Sequence, residues 1–107
     1  MGEPMTFARR RLLFYVEGRG GLQRDDREAV RLLKLAADQG NANAQVCLGS
    51  MYANGGPVQQ DYVAAHMWFN LAAAGGLKSA ATNRELVAAK MTPQQIEDAE
   101  KRFAERR

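Results

Sequence analysis

The chain has 107 residues, with 15 Lys and Arg against 12 Asp and Glu and a single cysteine, which bounds it to one domain and excludes an internal disulfide framework and a cysteine-rich zinc site. No apolar run reaches the roughly 18 residues that cross a bilayer, and a composition 46% hydrophobic and 25% charged is that of a globular domain. The net charge of +3 permits acidic partners without demanding them.

Strand formers are scarce, with one Ile, six Val and three Thr, while alanine recurs in pairs at Ala36-Ala37, Ala72-Ala73 and Ala88-Ala89. Gly and Pro punctuate at a few places only, and the segments between them predict six helices over about 5–17, 25–39, 42–54, 60–74, 78–90 and 93–106. The first helix carries Arg9, Arg10 and Arg11 and then the run Leu12 to Val16, which meets Glu17-Gly18-Arg19 too soon to be the apolar stretch of a signal peptide. A cytoplasmic chain is expected, and a periplasmic or secreted one only if a leader has been removed. Gly18 to Gly21 lacks a preceding strand and the Lys-Ser/Thr of a phosphate loop, so it reads as a turn between helices.

Asp25 and Asp61 stand where their side chains can cap the second and fourth helices. In the third helix Cys47 is expected to be a buried small apolar residue, since nothing beside it lowers its pKa toward that of a nucleophile. His66, the only histidine, is expected to face solvent on the convex side, because no spacing supplies the partners that metal binding or general-base work requires. Tyr52 and Trp68-Phe69 are expected to fill the core between helices. The sixth helix opens on a capping box, Thr92 and Gln95 around Pro93. It sets Ile96, Ala99 and Phe103 on one side and Glu97, Lys101 and Arg102 around the rest, as an amphipathic cap does.

A shift of 36 residues lays the chain on itself without insertion. Ala8 falls on Ala44, Leu12 on Leu48, Gly20 on Gly56, Asp25 on Asp61, Leu33 on Phe69, Leu35-Ala36-Ala37 on Leu71-Ala72-Ala73, and Gly40 on Gly76. Each unit is a helix, a glycine-containing turn and a second helix ending at glycine, with Gly49 and the alanine pairs allowing close helix approach. One such hairpin cannot bury its apolar stripe, so units stack. The expected fold is all-α, a short α-solenoid of about three antiparallel helix pairs in one domain over 1–107. Repeat one covers about 8–43, repeat two about 44–79, and a capping hairpin about 80–107.

Ala44, Leu48-Gly49, Tyr52, Gly55-Gly56, Val58, Asp61-Tyr62, Ala65, Trp68, Ala72-Ala73 and Gly76 resemble one complete Sel-1-like repeat, a relative of the tetratricopeptide repeat. The unit from Ala8 to Gly40 resembles it less closely, having Leu13, Val16 and Leu32 at the places of Gly49, Tyr52 and Trp68, and the segment from Arg84 to Ala104 is similar to the tail of many bacterial members. The resemblance implies a right-handed solenoid and an adaptor or scaffold that binds a protein or peptide, without chemistry or cofactor of its own. By the same resemblance the groove is lined by Phe7, Arg10, Phe14 and Glu17, then Asn43, Val46, Ser50 and Ala53, then Ser79, Thr82, Leu86 and Ala89.

Two other classes compete. A hydrolase related to penicillin-binding cysteine-rich repeat proteins would carry a disulfide in each repeat, and this chain has one cysteine. A self-associating module is suggested by the first helix, where Leu12, Leu13, Phe14, Tyr15 and Val16 run consecutively and some must point away from the helix they pack on, so a two-fold homodimer through Leu12, Leu13, Tyr15 and Val16 is expected. Nucleic acid is not the expected partner, since a solvated helix face explains Arg9 to Arg11 as well as phosphate contacts do.

Overall fold

The computed structural model describes residues 24–107. Five helices follow in order: α1 (Arg24–Asp38), α2 (Ala42–Asn54), α3 (Tyr62–Ala74), α4 (Lys78–Ala88) and α5 (Pro93–Arg106). They correspond to the last five of the six predicted helices. The first, with Phe7, Arg10, Phe14, Glu17, the Leu12–Val16 run and the turn at Gly18 to Gly21, lies outside the described residues. No strand occurs among the described residues, and neighbouring helices pack as a short helical solenoid.

The helix ends follow from local chemistry. Asn41 accepts a hydrogen bond from the Ala44 amide at 2.9 Å, and Asp61 one from the Ala64 amide at 3.1 Å, each satisfying a donor that the first turn leaves open. At α5 the Thr92 hydroxyl accepts from the Gln95 amide at 3.1 Å while the Gln95 side chain accepts from the Thr92 amide at 2.9 Å, the reciprocal pair that the residues predict. Asp25 falls within the bounds of α1.

The 36-residue register reappears in the way α1 and α3 stop. Gly40, with φ 93°, donates to Ala37 O at 3.0 Å and Asn41 donates to Ala36 O at 3.0 Å. Gly76, with φ 108°, donates to Ala73 O at 3.0 Å and Leu77 to Ala72 O at 3.2 Å. Both are Schellman turns, and the left-handed residue they require is glycine in each repeat.

α3 is the centre of the packing: α2, α4 and α5 all lie against it, while α1 packs mainly on α2. Ala64 to Phe69 are buried without interruption and α3 contains no Lys, Arg, Asp or Glu, as befits a helix enclosed on every side. Its two adjacent aromatics serve opposite halves of the core. Trp68 joins Ala37, Ala44, Leu48 and Met67, with Phe103 of α5 packed against them. Phe69 joins Ala65 and Val87, and half-buried Tyr52 touches both groups.

Leu32, in the register place of Trp68, has a different fate. Trp68 is 4% exposed, with Phe103 and Arg106 of α5 on it, whereas Leu32 is 52% exposed because α1 has no described helix lying along it beyond α2.

The α2–α3 contact depends on one missing side chain. A Cβ on Gly49 would stand 2.6 Å from Cε1 of Phe69, a buried ring with nowhere to go. Gly49→Ala is therefore expected to lower stability by about 1–3 kcal/mol through overpacking, despite alanine's better helix propensity. Combined with Phe69→Leu, the residue type that repeat one has in that place at Leu33, the same change should cost less. Urea denaturation of the two single variants and the double variant measures this; strictly additive costs would mean that the ring and Gly49 are not coupled.

Candidate functional site

α2 and α4 stand in the same place of the 36-residue register, and a cavity of about 210 Å³ opens between them. Its base is apolar, made of Ala53 from α2, Tyr62 and Phe69 from α3, and Val87 from α4. Phe69 and Val87 are 3% and 6% exposed, so the base is continuous with the core and holds its shape. Around the base stand Ser50 and Asn54 of α2, Asn83 and Leu86 of α4, and Lys90 just beyond α4. Leu86 is 62% exposed, an apolar side chain at the lip that nothing in the described structure covers.

Of the residues expected to line a groove, Ser50, Ala53 and Leu86 come together at this cavity. Val46 is half-buried against the Phe69 group and belongs to the core side of α2. Asn43, Ser79, Thr82 and Ala89 are exposed but stand outside the cavity lining. Phe7, Arg10, Phe14 and Glu17, like Leu12, Leu13, Tyr15 and Val16, lie outside the described residues.

Asn54, Asn83 and Lys90 of the rim escaped sequence reasoning, although for two of them a signal was present. Asn54 and Lys90 occupy equivalent places 36 residues apart, one helical turn after Ser50 and Leu86 respectively.

Two expectations are corrected. Cys47 is exposed, not buried; it shares a helical stripe with Asn43, Ser50 and Asn54, none of which is buried. His66 is 4% exposed, not solvent-facing, and its Nδ1 has no hydrogen-bond partner. α4 and α5 close over this side of α3, with Arg84, Glu85 and Glu100 as the charged groups that act on the imidazole. Burial first and the Arg84 guanidinium next hold the imidazole below its ordinary value of 6.5, while Glu100 and Glu85 pull the other way. Arg84 is itself engaged, donating to Asn70 Oδ1 at 2.8 Å and to Glu85 Oε2 at 3.0 Å.

A pH dependence follows. In the window between the lowered folded value and 6.5 the unfolded chain binds a proton that the folded chain refuses. The stability due to neutral His66 is thus complete above that window and is lost as the pH falls through it. Urea midpoints measured from about pH 7 to pH 5 should decline for the wild type and decline less for His66→Phe, which cannot titrate. Parallel declines would assign the acid sensitivity to other groups.

A second hollow of about 350 Å³ lies on the other side of Trp68, between the end of α1 and α5. The protein's own charges occupy it. The Arg106 guanidinium sits 4.5 Å from the centre of the Trp68 ring and donates to Asp38 Oδ1 at 2.7 Å, tying α5 to α1. Its remaining charges, Lys34, Arg102 and Glu105, are of both signs and set up no single demand on a ligand.

No group of three or more His, Cys, Asp or Glu that could hold a metal occurs among the described residues. Within them, no helix is long and apolar enough to cross a membrane. Stacked helices and glycine turns that recur in register define a helical-repeat protein. The Sel1 repeat model matches the chain twice, over residues 11–41 and 42–77. That is more than half of its length, and the chain belongs to the Sel1 repeat family. The second match opens at Ala42, the first residue of α2. No curated protein matches the chain. Sel1 repeats are in general non-catalytic modules of protein–protein interaction.

Proposed function

We propose that the chain is a non-catalytic adaptor or scaffold that binds a peptide or partner protein along the face formed by the first helices of its repeats, with Ser50, Ala53 and Leu86 at the centre of contact. The observation that carries this reading is the exposed Leu86 at the lip of a preformed apolar cavity, since an uncovered large side chain beside a fixed hollow is where a partner gains most from excluding water. Asn43, Ser79 and Thr82 extend the same face, and Phe7, Arg10, Phe14 and Glu17 continue it by register. Leu86→Asp should abolish partner capture, identified by mass spectrometry from the source cell, while circular dichroism of the variant stays that of the wild type. Retained capture by a folded variant would move the interaction elsewhere.

Self-association through Leu12, Leu13, Tyr15 and Val16 is a second reading, favoured by Leu32 and Leu35 of α1, which are 52% and 47% exposed. Sedimentation over a concentration series under reducing conditions tests it: a monomer throughout would remove it, and dissociation by Leu13→Glu would support it.

A further inference from the structure

The electrostatics of the cavity narrow the chemistry of its occupant. Neither α2 nor α3 contains a Lys, Arg, Asp or Glu, so the α2 wall and the aromatic base carry no formal charge. Of the residues around the cavity only Lys90 is charged; it is exposed, and no carboxylate stands in the lining to oppose it. Arg84, the cation nearest to Lys90 in α4, is already engaged by Glu85 and Asn70. The remaining polar groups at the rim, the Asn54 and Asn83 amides and the Ser50 hydroxyl, both donate and accept, which suits a peptide backbone. An apolar base, a neutral hydrogen-bonding rim and one unopposed ammonium are complementary to a short extended segment with an aliphatic side chain next to a carboxylate.

We infer that the α2–α4 cavity receives an aliphatic side chain from an extended segment of a partner protein, and that Lys90 reads an acidic residue adjacent to it. The inference rests on the reading that this face binds a partner, and adds which sequences it accepts. The side chain fills the hollow over Phe69 and Val87 against Leu86. The carboxylate meets the Lys90 ammonium, and Asn54 and Asn83 hold the peptide backbone between them.

The probe is the pentapeptide acetyl-Ser-Asp-Leu-Asp-Ser-amide, titrated into the full chain and followed by backbone amide chemical shifts, which register weak binding. Saturable shifts are expected at Ser50, Asn83 and Lys90. Replacing both Asp of the peptide by Asn should weaken binding about two- to fivefold, the size of a partly exposed ion pair. Replacing its Leu by Ala should weaken it more than about tenfold, from the apolar area lost. Lys90→Gln, a substitution at an exposed position outside the helices, should leave the fold intact and erase the difference between the Asp and Asn peptides. Equal affinity of those peptides for the wild type, shifts centred on Trp68 and Arg106, or no saturable shift at all would overturn the inference. Any of these, alongside partner capture that Leu86→Asp still abolishes, would leave the binding face standing and remove only its assigned chemistry; capture unaffected by Leu86→Asp would remove both.

Discussion

Trp68→Ala is expected to cost about 3–5 kcal/mol, the range for truncating a buried large aromatic side chain, and so to remove a large share of the stability of a domain with only about 5–15 kcal/mol to lose. The indole is 4% exposed and belongs to a cluster drawn from three other helices: Ala37 of α1, Ala44 and Leu48 of α2, and Phe103 of α5. Its removal opens a void that three separate helices would have to close at once, and it also strips the ring from beneath Arg106. Arg106→Ala provides the comparison. It deletes the stacked cation and the ion pair with Asp38, whose partners are 43% and 50% exposed, and should cost only about 1 kcal/mol. Thermal melts followed by circular dichroism separate the two; similar midpoints would mean that α5 is held by the charge and not by the ring.

Leu48→Ala should be the next most damaging change, at about 2–5 kcal/mol. Among the described residues Leu48 is the largest side chain that is fully buried, at 0% exposure, and it packs in the same group as Trp68 and Met67. Its neighbour in sequence, Gly49, lets the Phe69 ring lie against α2, so the wall around Leu48 is fixed by a close backbone approach and has little room to relax. The same truncation at Leu86, 62% exposed, should stay within about 0.5 kcal/mol. Urea midpoints for the pair of leucine variants check both statements. Because Leu48 and Trp68 pack in one core cluster, the double variant should cost less than the sum of the single ones.

The repeat was legible because its turns demand particular residues. Gly40 and Gly76 stop their helices in one left-handed geometry, Asp61 and Thr92 cap where their chemistry requires, and the 36-residue shift collects these marks into register. Burial was harder where a helix has no outward stripe. Across Ala64 to Phe69 every position is buried, so the polar residues Tyr62 and Asn70, four residues either side of His66, suggest an exposed face that α4 and α5 in fact cover. That covering is a tertiary event, and no local pattern in α3 announces it. Cys47 is the opposite case: its apolar neighbours Val46 and Leu48 mislead, while the helical period through Asn43, Ser50 and Asn54 places it outside. The cavity was half legible, since register picks out Ser50, Ala53 and Leu86, but its base comes from Tyr62 and Phe69 on a second helix that a single-face reading leaves out.

The enclosure of α3 by α2, α4 and α5 sets the order in which the molecule loosens. In a row of repeats each unit leans only on its neighbours, and partial openings ordinarily start from either end and travel inward. Here an opening that reaches α3 from one end must break its contacts with the helices on the other as well. Amide hydrogen exchange should therefore be slowest along Ala64 to Ala72 and reach the rate of global unfolding there, with α1 and the last turns of α5 exchanging through smaller excursions. The cavity straddles this gradient: its base belongs to the slowest-opening helix, so the hollow keeps its shape while the outer helices breathe.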